Sequence, residues 1–262
     1  MGVLNVTPDS FSGDGVYEDV EKAVSGAAKM VRDGADLIDV GGESTRPGAE
    51  PVGVEEELRR VLPPLKRLLE EDVAVSVDTY KPEVAGRALD LGAGLINDVA
   101  GLRDPRMARV VADHDAGVVI LHMKGEPRTM QESPSYPNGV VEEIRGFLKS
   151  QVAIAEEAGI RSDGIIIDPG IGFGKTVDHN LEILRNLGSF GDLAKPILVG
   201  PSRKSFLGKL LNAPDTGRLG GTIAAVVVSI LNGADIVRVH DVAECRRAVA
   251  VADAISRGRT MP

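Results

Sequence analysis

The feature that most constrains the fold is one pattern repeated eight times along the chain. A short apolar run is followed by a loop rich in Gly, Pro and Ser, and then by a longer amphipathic stretch. The apolar runs predict strands at 3–6, 37–40, 73–77, 95–97, 118–121, 165–167, 197–199 and 236–239. The amphipathic stretches predict helices at 18–32, 54–71, 82–91, 105–116, 140–158, 180–187, 219–231 and 242–256. Strands that are apolar throughout pair in parallel beneath covering helices, so the chain belongs to the α/β class.

Eight such units in 262 residues, roughly 30 to 35 residues each, favour closure into one (β/α)8 TIM barrel. No linker or shift in composition divides the chain, so we expect a single domain over residues 1–262. A doubly wound open sheet is the alternative, although the sequence offers no switch-point motif for it. Glycines recur where predicted helices end, at Gly34, Gly92, Gly117 and Gly233, and predict helix C-caps in tight turns.

Composition restricts the classes of partner. The net charge is -9 without long runs of either sign, and the chain has 5 Phe, 3 Tyr and no Trp. Binding to nucleic acid or to an anionic membrane is therefore not expected. The single cysteine, Cys245, rules out an internal disulfide framework and a Cys-based zinc cluster, and favours a reducing compartment. The N-terminus carries no export pattern, so we expect a cytoplasmic location.

The strand ends carry the residues that could perform chemistry. Long polar loops follow the strands and short turns precede them, which places the active site of a barrel at the C-terminal ends of the strands. The polar groups at those ends are Asn5, Asp39, Asp78, Asn97, His122, Asp168, Arg238 and His240. One polar residue after a strand is as often a simple terminator as a functional group. Eight of them at one end indicate a binding site.

Two halves of opposite charge are predicted within this site. The segment DPGIGFGKT lacks the glycine spacing of both phosphate-binding motifs, so it is interpreted as a tight loop that fixes Asp168 and projects Phe173. Arg46 in GGESTRPGA and Lys204 in GPSRKSFLG supply cations, together with Arg238 in RVHD. Carboxylates suit a ring with adjacent N–H donors, and cations suit a phosphorylated tail. The sequence therefore predicts a heterocyclic phosphate ester as substrate.

Eight motifs in this order resemble the dihydropteroate synthase family over essentially the whole chain. They are MGVLNVTPDSFS, DVGGESTRPGA, VSVDTYKPEVA, INDV, HMKGEPRTMQ, DPGIGFGKTVDHN, GPSRKSFLG and RVHDV. The resemblance implies a (β/α)8 barrel. It also implies a reaction in which 6-hydroxymethyl-7,8-dihydropterin diphosphate and p-aminobenzoate give 7,8-dihydropteroate and pyrophosphate, with Mg²⁺ as cofactor.

The resemblance also implies a role for individual residues. The residues implied for the pterin are Asp78, Asn97, Asp168, Lys204 and Arg238. Those implied for the diphosphate are Asn5, Arg46, Arg238 and His240, with Mg²⁺ on the side-chain oxygen of Asn5. Those implied for p-aminobenzoate are Thr45, Pro47, Phe173, Lys204 and Ser205. The catalytic set is Asp78, Lys204, Arg238, Arg46 and Asp14, although Asp14 stands one position away from the carboxylate of the family pattern.

Two rival functions stay open. A pterin-dependent methyltransferase would use a similar barrel, but it gives no reason for the cations directed at a diphosphate. A non-catalytic pterin-binding paralogue is suggested by the shifted Asp14, and by a start at the first strand without the leader that often precedes it in the family. The synthase reaction needs stabilisation of departing pyrophosphate and positioning of a neutral arylamine, so we expect a dissociative substitution.

A partner surface is predicted from one helix. The run TIAAVVVSIL, from Thr222 to Leu231, is apolar on nearly all sides, whereas an outer barrel helix shows a polar face. We expect a homodimer through the helices around this run and the C-terminal helix. Cys245 is expected to be a packed thiol, and His114 and His179 are expected on the surface.

Overall fold

The computed structural model describes residues 1–7, 20–45, 48–213 and 217–258, and in these ranges it has eight parallel strands that alternate with helices. The strands are β1 (Gly2–Asn5), β2 (Ile38–Gly41), β3 (Val75–Asp78), β4 (Leu95–Asp98), β5 (Gly117–Leu121), β6 (Ile165–Asp168), β7 (Leu198–Val199) and β8 (Ile236–Val237). The α-helices are α1 (Val20–Arg32), α2 (Val54–Glu70), α3 (Pro82–Leu91), α4 (Pro105–Asp113), α5 (Val140–Glu157), α6 (Val177–Arg185), α7 (Ser205–Leu211), α8 (Leu219–Leu231) and α9 (Val242–Arg257).

The strands close into a ring. Strands β1 to β6 pair in sequence order, and β7 pairs with β8. Two parallel bridges, Gly2 with Val239 and Ile167 with Ile197, join these two sheets at both edges. Backbone hydrogen bonds support the first junction, since Val3 N donates to Val239 O at 3.0 Å. The predicted (β/α)8 barrel is confirmed, and the open doubly wound sheet is not.

Alternate strand residues face the helices and the barrel interior. In β5, Val118 and Ile120 belong to the large core shared with the helices, whereas Val119 packs inside with Met1 and Leu198. This alternation buries both faces of β5, which explains why such a strand is apolar throughout. The closed interior leaves the strand ends as the place where polar side chains meet.

The short turns at the other end of the barrel, which join helices to the strands that follow them, share a Gly-Ala sequence. After α3, Gly92 has a φ of 110° and its N–H donates to Leu89 O, while Ala93 N–H donates to Ala88 O. This pair of bonds is a Schellman motif, which needs a left-handed residue at its centre. Gly34 and Gly233 make the same arrangement. The prediction for Gly117 was wrong, because this glycine is the first residue of β5.

Several predicted elements are confirmed with shifted ends. Helix α6 begins at Val177, three residues early, because Thr176 and His179 form a capping box. His179 is therefore half-buried rather than fully on the surface, whereas His114 is exposed. Cys245 is a buried free thiol in α9, as predicted. Among the described residues, no helix has both the length and the apolarity required to cross a membrane.

Candidate active site

The register of the strands brings three predicted positions, Asn5, Asp78 and Asn97, into one row with Gly41. Asn5 pairs with Gly41, Gly41 with Asp78, and Asp78 with Asn97, at the C-terminal ends of β1 to β4. Asp168 is the last residue of β6, at the same end of the barrel. These four predicted side chains, Asn5, Asp78, Asn97 and Asp168, therefore lie on strands rather than on loops.

A buried carboxylate lies beneath this row and orients its neighbours. Asp39 in β2 is fully buried, and its Oδ2 accepts from Asn97 Nδ2 at 2.9 Å and from Arg238 Nε at 2.5 Å. Its Oδ1 accepts from the hydroxyl of Ser76. Arg238 also donates through Nη2 to Asp78 Oδ2 at 2.7 Å. Asp39 therefore fixes both the guanidinium of Arg238 and the amide of Asn97.

Two acceptor atoms of this network lack partners. Asp78 Oδ1 and Asn97 Oδ1 are buried and have no hydrogen-bond partner among the residues that the structure describes. A buried acceptor without a donor costs free energy, so such atoms mark a place where a ligand supplies the donors. Burial raises the pKa of Asp78 to about 7, against the opposing effect of Arg238. N–H donors from a ligand would stabilise the ionised form of Asp78.

The loop after β6 holds a third carboxylate. Asp168 is buried, and its Oδ1 accepts from Gly170 N at 2.7 Å. Gly170 has a φ of +72°, and a Cβ there would lie 1.9 Å from His122 O, so only glycine fits. Burial raises the pKa of Asp168, and the bond from Gly170 opposes this shift. This tight turn fixes the carboxylate at the strand tip, as the sequence predicted.

Lys204 and Phe173 form the adjacent wall. Lys204 Nζ donates to Ile171 O at 2.5 Å and lies 3.9 Å from the centre of the Phe173 ring. The lysine stem passes over Gly172, where a Cβ would lie 2.7 Å from Lys204 Cδ. Burial lowers the pKa of Lys204 to about 7, although Asp168 opposes this shift. A partly charged amine beside an aromatic ring therefore borders the carboxylate pocket.

His122, one of the polar groups predicted at the strand ends, directly follows β5 and lies beside the loop that follows β6. Its ring is buried, lies edge-on to Phe147, and has its Nδ1 3.1 Å from Lys175 Nζ. Burial lowers the pKa of His122 to about 2, so the imidazole is neutral. Lys175 also donates to Phe173 O at 2.9 Å. Lys175 thus joins the strand end at His122 to the glycine loop, because its Nζ also donates to His122 O at 3.2 Å.

The remaining predicted residues are distributed around the rim. His240 stands three residues after the end of β8, and its Nδ1 lies 3.1 Å from Ser202 Oγ. Ser205 is exposed as the first residue of α7, and Thr45 is half-buried in the loop after β2. The predictions for Asp14, Arg46 and Pro47 lie outside the described residues.

A metal would need ligands from a substrate as well as from the protein. Within the described ranges, no three His, Cys, Asp or Glu side chains are grouped so that they could hold a metal ion. A Cβ at Gly41 would lie 3.6 Å from Asn5 Oδ1, so the glycine keeps space beside this oxygen. One amide oxygen with adjacent space fits Mg²⁺, which is commonly held by few protein oxygens together with substrate phosphates.

Sequence reasoning missed several residues that support the site. Asp39 was identified at a strand end without a role, and neither Lys175 nor Glu43 was singled out. Both of these are charged residues with little exposure, at 3 % and 9 % respectively. The available signal was the position of both charged residues within Gly-rich loops. Charged residues are rarely buried unless they are paired, so burial of these two indicates partners.

The fold and the site define a (β/α)8 barrel with buried polar groups at the C-terminal ends of its strands, and the family model for pterin binding enzymes matches residues 1–240. The dihydropteroate synthase of Escherichia coli strain K12 is 46% identical over 255 residues, which cover 97% of this chain and 90% of that protein. The chain belongs to the dihydropteroate synthase family and is a transferase.

Solved structures agree with this assignment. A Yersinia pestis dihydropteroate synthase in a sulfonamide drug complex has a TM-score of 0.94 at 42% identity and covers 99% of this chain and 94% of its own. A Xanthomonas albilineans dihydropteroate synthase with 4-aminobenzoic acid has a TM-score of 0.91 at 44% identity, with 97% and 92% covered.

Proposed function

We propose that this chain condenses 6-hydroxymethyl-7,8-dihydropterin diphosphate with p-aminobenzoate to give 7,8-dihydropteroate and pyrophosphate. One observation carries the proposal: Asp78 Oδ1 and Asn97 Oδ1 are buried acceptors with no donor from the described part of the chain, close to the end of the barrel that also holds Asp168. A dihydropterin ring presents its amide N–H and exocyclic amine on one edge and a further ring N–H on the opposite edge, so it would supply donors to these atoms as well as to Asp168. A site for an acceptor-rich ligand would instead require free donors here.

The pterin would lie among the three buried acceptors. Asp168 would accept from the ring amide and the exocyclic amine, since a carboxylate has lone pairs on both oxygens and Gly170 uses only one of them. Asp78 and Asn97 would accept from the opposite edge. Lys204 and Arg238 would border the ring, and Asp39 would keep Arg238 in position.

The diphosphate would lie on the cationic side of the site, at Arg238, His240 and Arg46. Departure of pyrophosphate leaves positive charge on the methylene carbon, and the electron-rich dihydropterin disperses this charge. Cations directed at the departing oxygens stabilise the transition state, which is usually the largest contribution to such a reaction. Mg²⁺ on Asn5 would neutralise phosphate charge when bound.

The arylamine would lie near Phe173, Lys204, Ser205, Thr45 and Pro47. An arylamine is a neutral nucleophile at pH 7, so attack needs alignment with the methylene carbon rather than a strong base. The aromatic face of Phe173 would pack against the benzoate ring. Asp14, which precedes α1 in the sequence, remains part of the proposed catalytic set.

We further propose a cytoplasmic homodimer built from one barrel domain over residues 1–262. Exposed large apolar side chains on α7, α8 and α9 support the interface. They include Leu210, Leu211, Val228, Leu231, Val251 and Ile255. Leu231 is 49% exposed and Ile255 is 74% exposed, so a second copy would remove considerable apolar surface from water.

The test is release of pyrophosphate from the pterin diphosphate in the presence of p-aminobenzoate and Mg²⁺. We expect one pyrophosphate per dihydropteroate, and slower release when p-aminobenzoate is omitted. Asp78→Asn should reduce the rate, whereas Asp90→Asn, an exposed carboxylate on α3, should not. Pterin binding without release would favour the non-catalytic paralogue, and methyl transfer would favour the methyltransferase.

A further inference from the structure

A second group of buried charges lies beside the site, at the loops that follow β2 and β3. Glu43, Glu57 and Lys81 have side-chain exposures of 7%, 1% and 13%. The ammonium of Lys81 donates to both carboxylates. Burial alone would lower the pKa of Lys81, but the hydrogen bonds to Glu43 and Glu57 raise it. Lys81 therefore remains charged and bridges the two acids.

Glu43 connects the two ends of one loop. It follows β2 after a single residue, and its Oε2 accepts from Val52 N at 3.1 Å, two residues before α2 begins. Thr45 lies between these two anchored ends. Lys81 extends the connection to Glu57 in the first turn of α2. The carboxylate of Glu43 thus holds both ends of the loop against the helix that follows it.

Tyr80 connects the same carboxylate to the aromatic wall of the site. Its hydroxyl donates to Glu43 Oε1 at 2.7 Å. Its ring packs against the cluster Val99, Leu121, Met123, Met130 and Phe173. In the chain, Asp78 is followed by Thr79, Tyr80 and Lys81. Glu43 therefore couples the loop that carries Thr45 to Phe173.

Stability alone does not account for this arrangement. Buried ion pairs gain little over apolar side chains of similar volume, because desolvation offsets their attraction. Glu57 Oε1 is moreover buried without a hydrogen-bond partner among the described residues, and burial raises the pKa of Glu57. These charged groups instead fix orientation, because each hydrogen bond between them holds one chain segment in place relative to another.

We infer that Glu43 is a positioning residue that fixes the two described ends of the connection between β2 and α2, and with them the position of Thr45 in the proposed p-aminobenzoate subsite near Phe173. The inference rests on the proposed function. It assigns Glu43 to the arylamine side of the reaction and not to the pterin side, because the pterin pocket is held separately by Asp39.

The test is Glu43→Gln, with the KM for p-aminobenzoate and the Kd for 6-hydroxymethylpterin measured side by side. Glutamine keeps the shape but removes the negative charge that pairs with Lys81, and its NH₂ group replaces one of the two oxygens that accept from Val52 N, Lys81 and Tyr80. We expect the KM for p-aminobenzoate to rise about tenfold and the Kd for the pterin to change less than about twofold. Glu55→Gln is the matched control. Glu55 is an exposed glutamate in the first turn of α2, and its substitution should change neither the KM nor the Kd.

Tyr80→Phe keeps the inference testable if Glu43→Gln does not fold, because it removes only one hydroxyl. It should raise the KM for p-aminobenzoate by about threefold with the pterin Kd unchanged. Turnover by the unaltered chain is measured first, and its absence counts against the proposed function. When turnover is present, an unchanged KM in both variants, or an equal loss of pterin binding, overturns the positioning role alone.

Discussion

Asp168→Asn separates binding of the pterin from stability of the fold. Gly170 N–H needs an acceptor, so the asparagine oxygen would take the place of Asp168 Oδ1 and its NH₂ would face the ligand. The pterin would lose at least one hydrogen bond to a charged acceptor. The binding free energy would weaken by about 1.5 to 3 kcal/mol. This loss corresponds to a rise of about 10- to 150-fold in Kd.

Stability should respond in the opposite direction. Burial raises the pKa of Asp168, so the folded state binds the proton more tightly than the unfolded state does. The free energy of unfolding therefore falls as the pH rises from the pKa of Asp168 in the unfolded chain through its higher pKa in the folded chain. Asparagine removes this cost, and the Tm at pH 7.5 should stay the same or increase.

The assay is calorimetric titration of 6-hydroxymethylpterin, with thermal unfolding of the same samples. Asp163→Asn is the matched control, because Asp163 is an exposed carboxylate just before β6 and pairs only with Arg161 among the described residues. Unchanged pterin affinity in Asp168→Asn would refute the reasoning. So would a fall in Tm of more than about 4 °C, or roughly 1 kcal/mol for a chain of this size.

Three further predictions concern pH, assembly and metal. Burial raises the pKa of Asp78 and lowers that of Lys204, each to about 7, so kcat/KM should peak near pH 7 and fall on both sides. Lys204→Arg should remove the alkaline limb, and an unchanged profile would contradict the assignment. Leu231→Asp should shift the sedimentation mass of a dimer towards 27.6 kDa, whereas a 27.6 kDa mass for the unaltered chain would exclude the dimer. Asn5→Ala should raise the Mg²⁺ concentration for half-maximal pyrophosphate release by about tenfold, and equal Mg²⁺ dependence would remove Asn5 as a ligand.

Much of the fold follows from local pattern. Eight apolar runs specify parallel strands because both of their faces are buried, and the strand ends then place Asp78, Asn97 and Asp168 at one mouth. Helix α7 was not predicted as a separate element. It has only seven residues and follows GPSRK, so it lacks the length from which a helical period can be recognised.

The side-chain network of the site could not be predicted in the same way. Glu43 and Lys81 are 38 positions apart, and Arg238 and Asp39 are 199 positions apart. No periodic pattern relates such pairs, because they meet only when the barrel closes. His122 illustrates the same limit. The sequence correctly predicts that it stands at a strand end, but it does not predict the contact between its ring and Lys175.

A crystal structure with dihydropteroate bound tests most directly whether the buried acceptors at the barrel mouth form the pterin site. The account predicts pterin N–H donors within hydrogen-bond distance of Asp78 Oδ1, Asn97 Oδ1 and Asp168, with the benzoate ring against Phe173. A pterin ring bound elsewhere, with Asp78 Oδ1 and Asn97 Oδ1 still without donors, would contradict it.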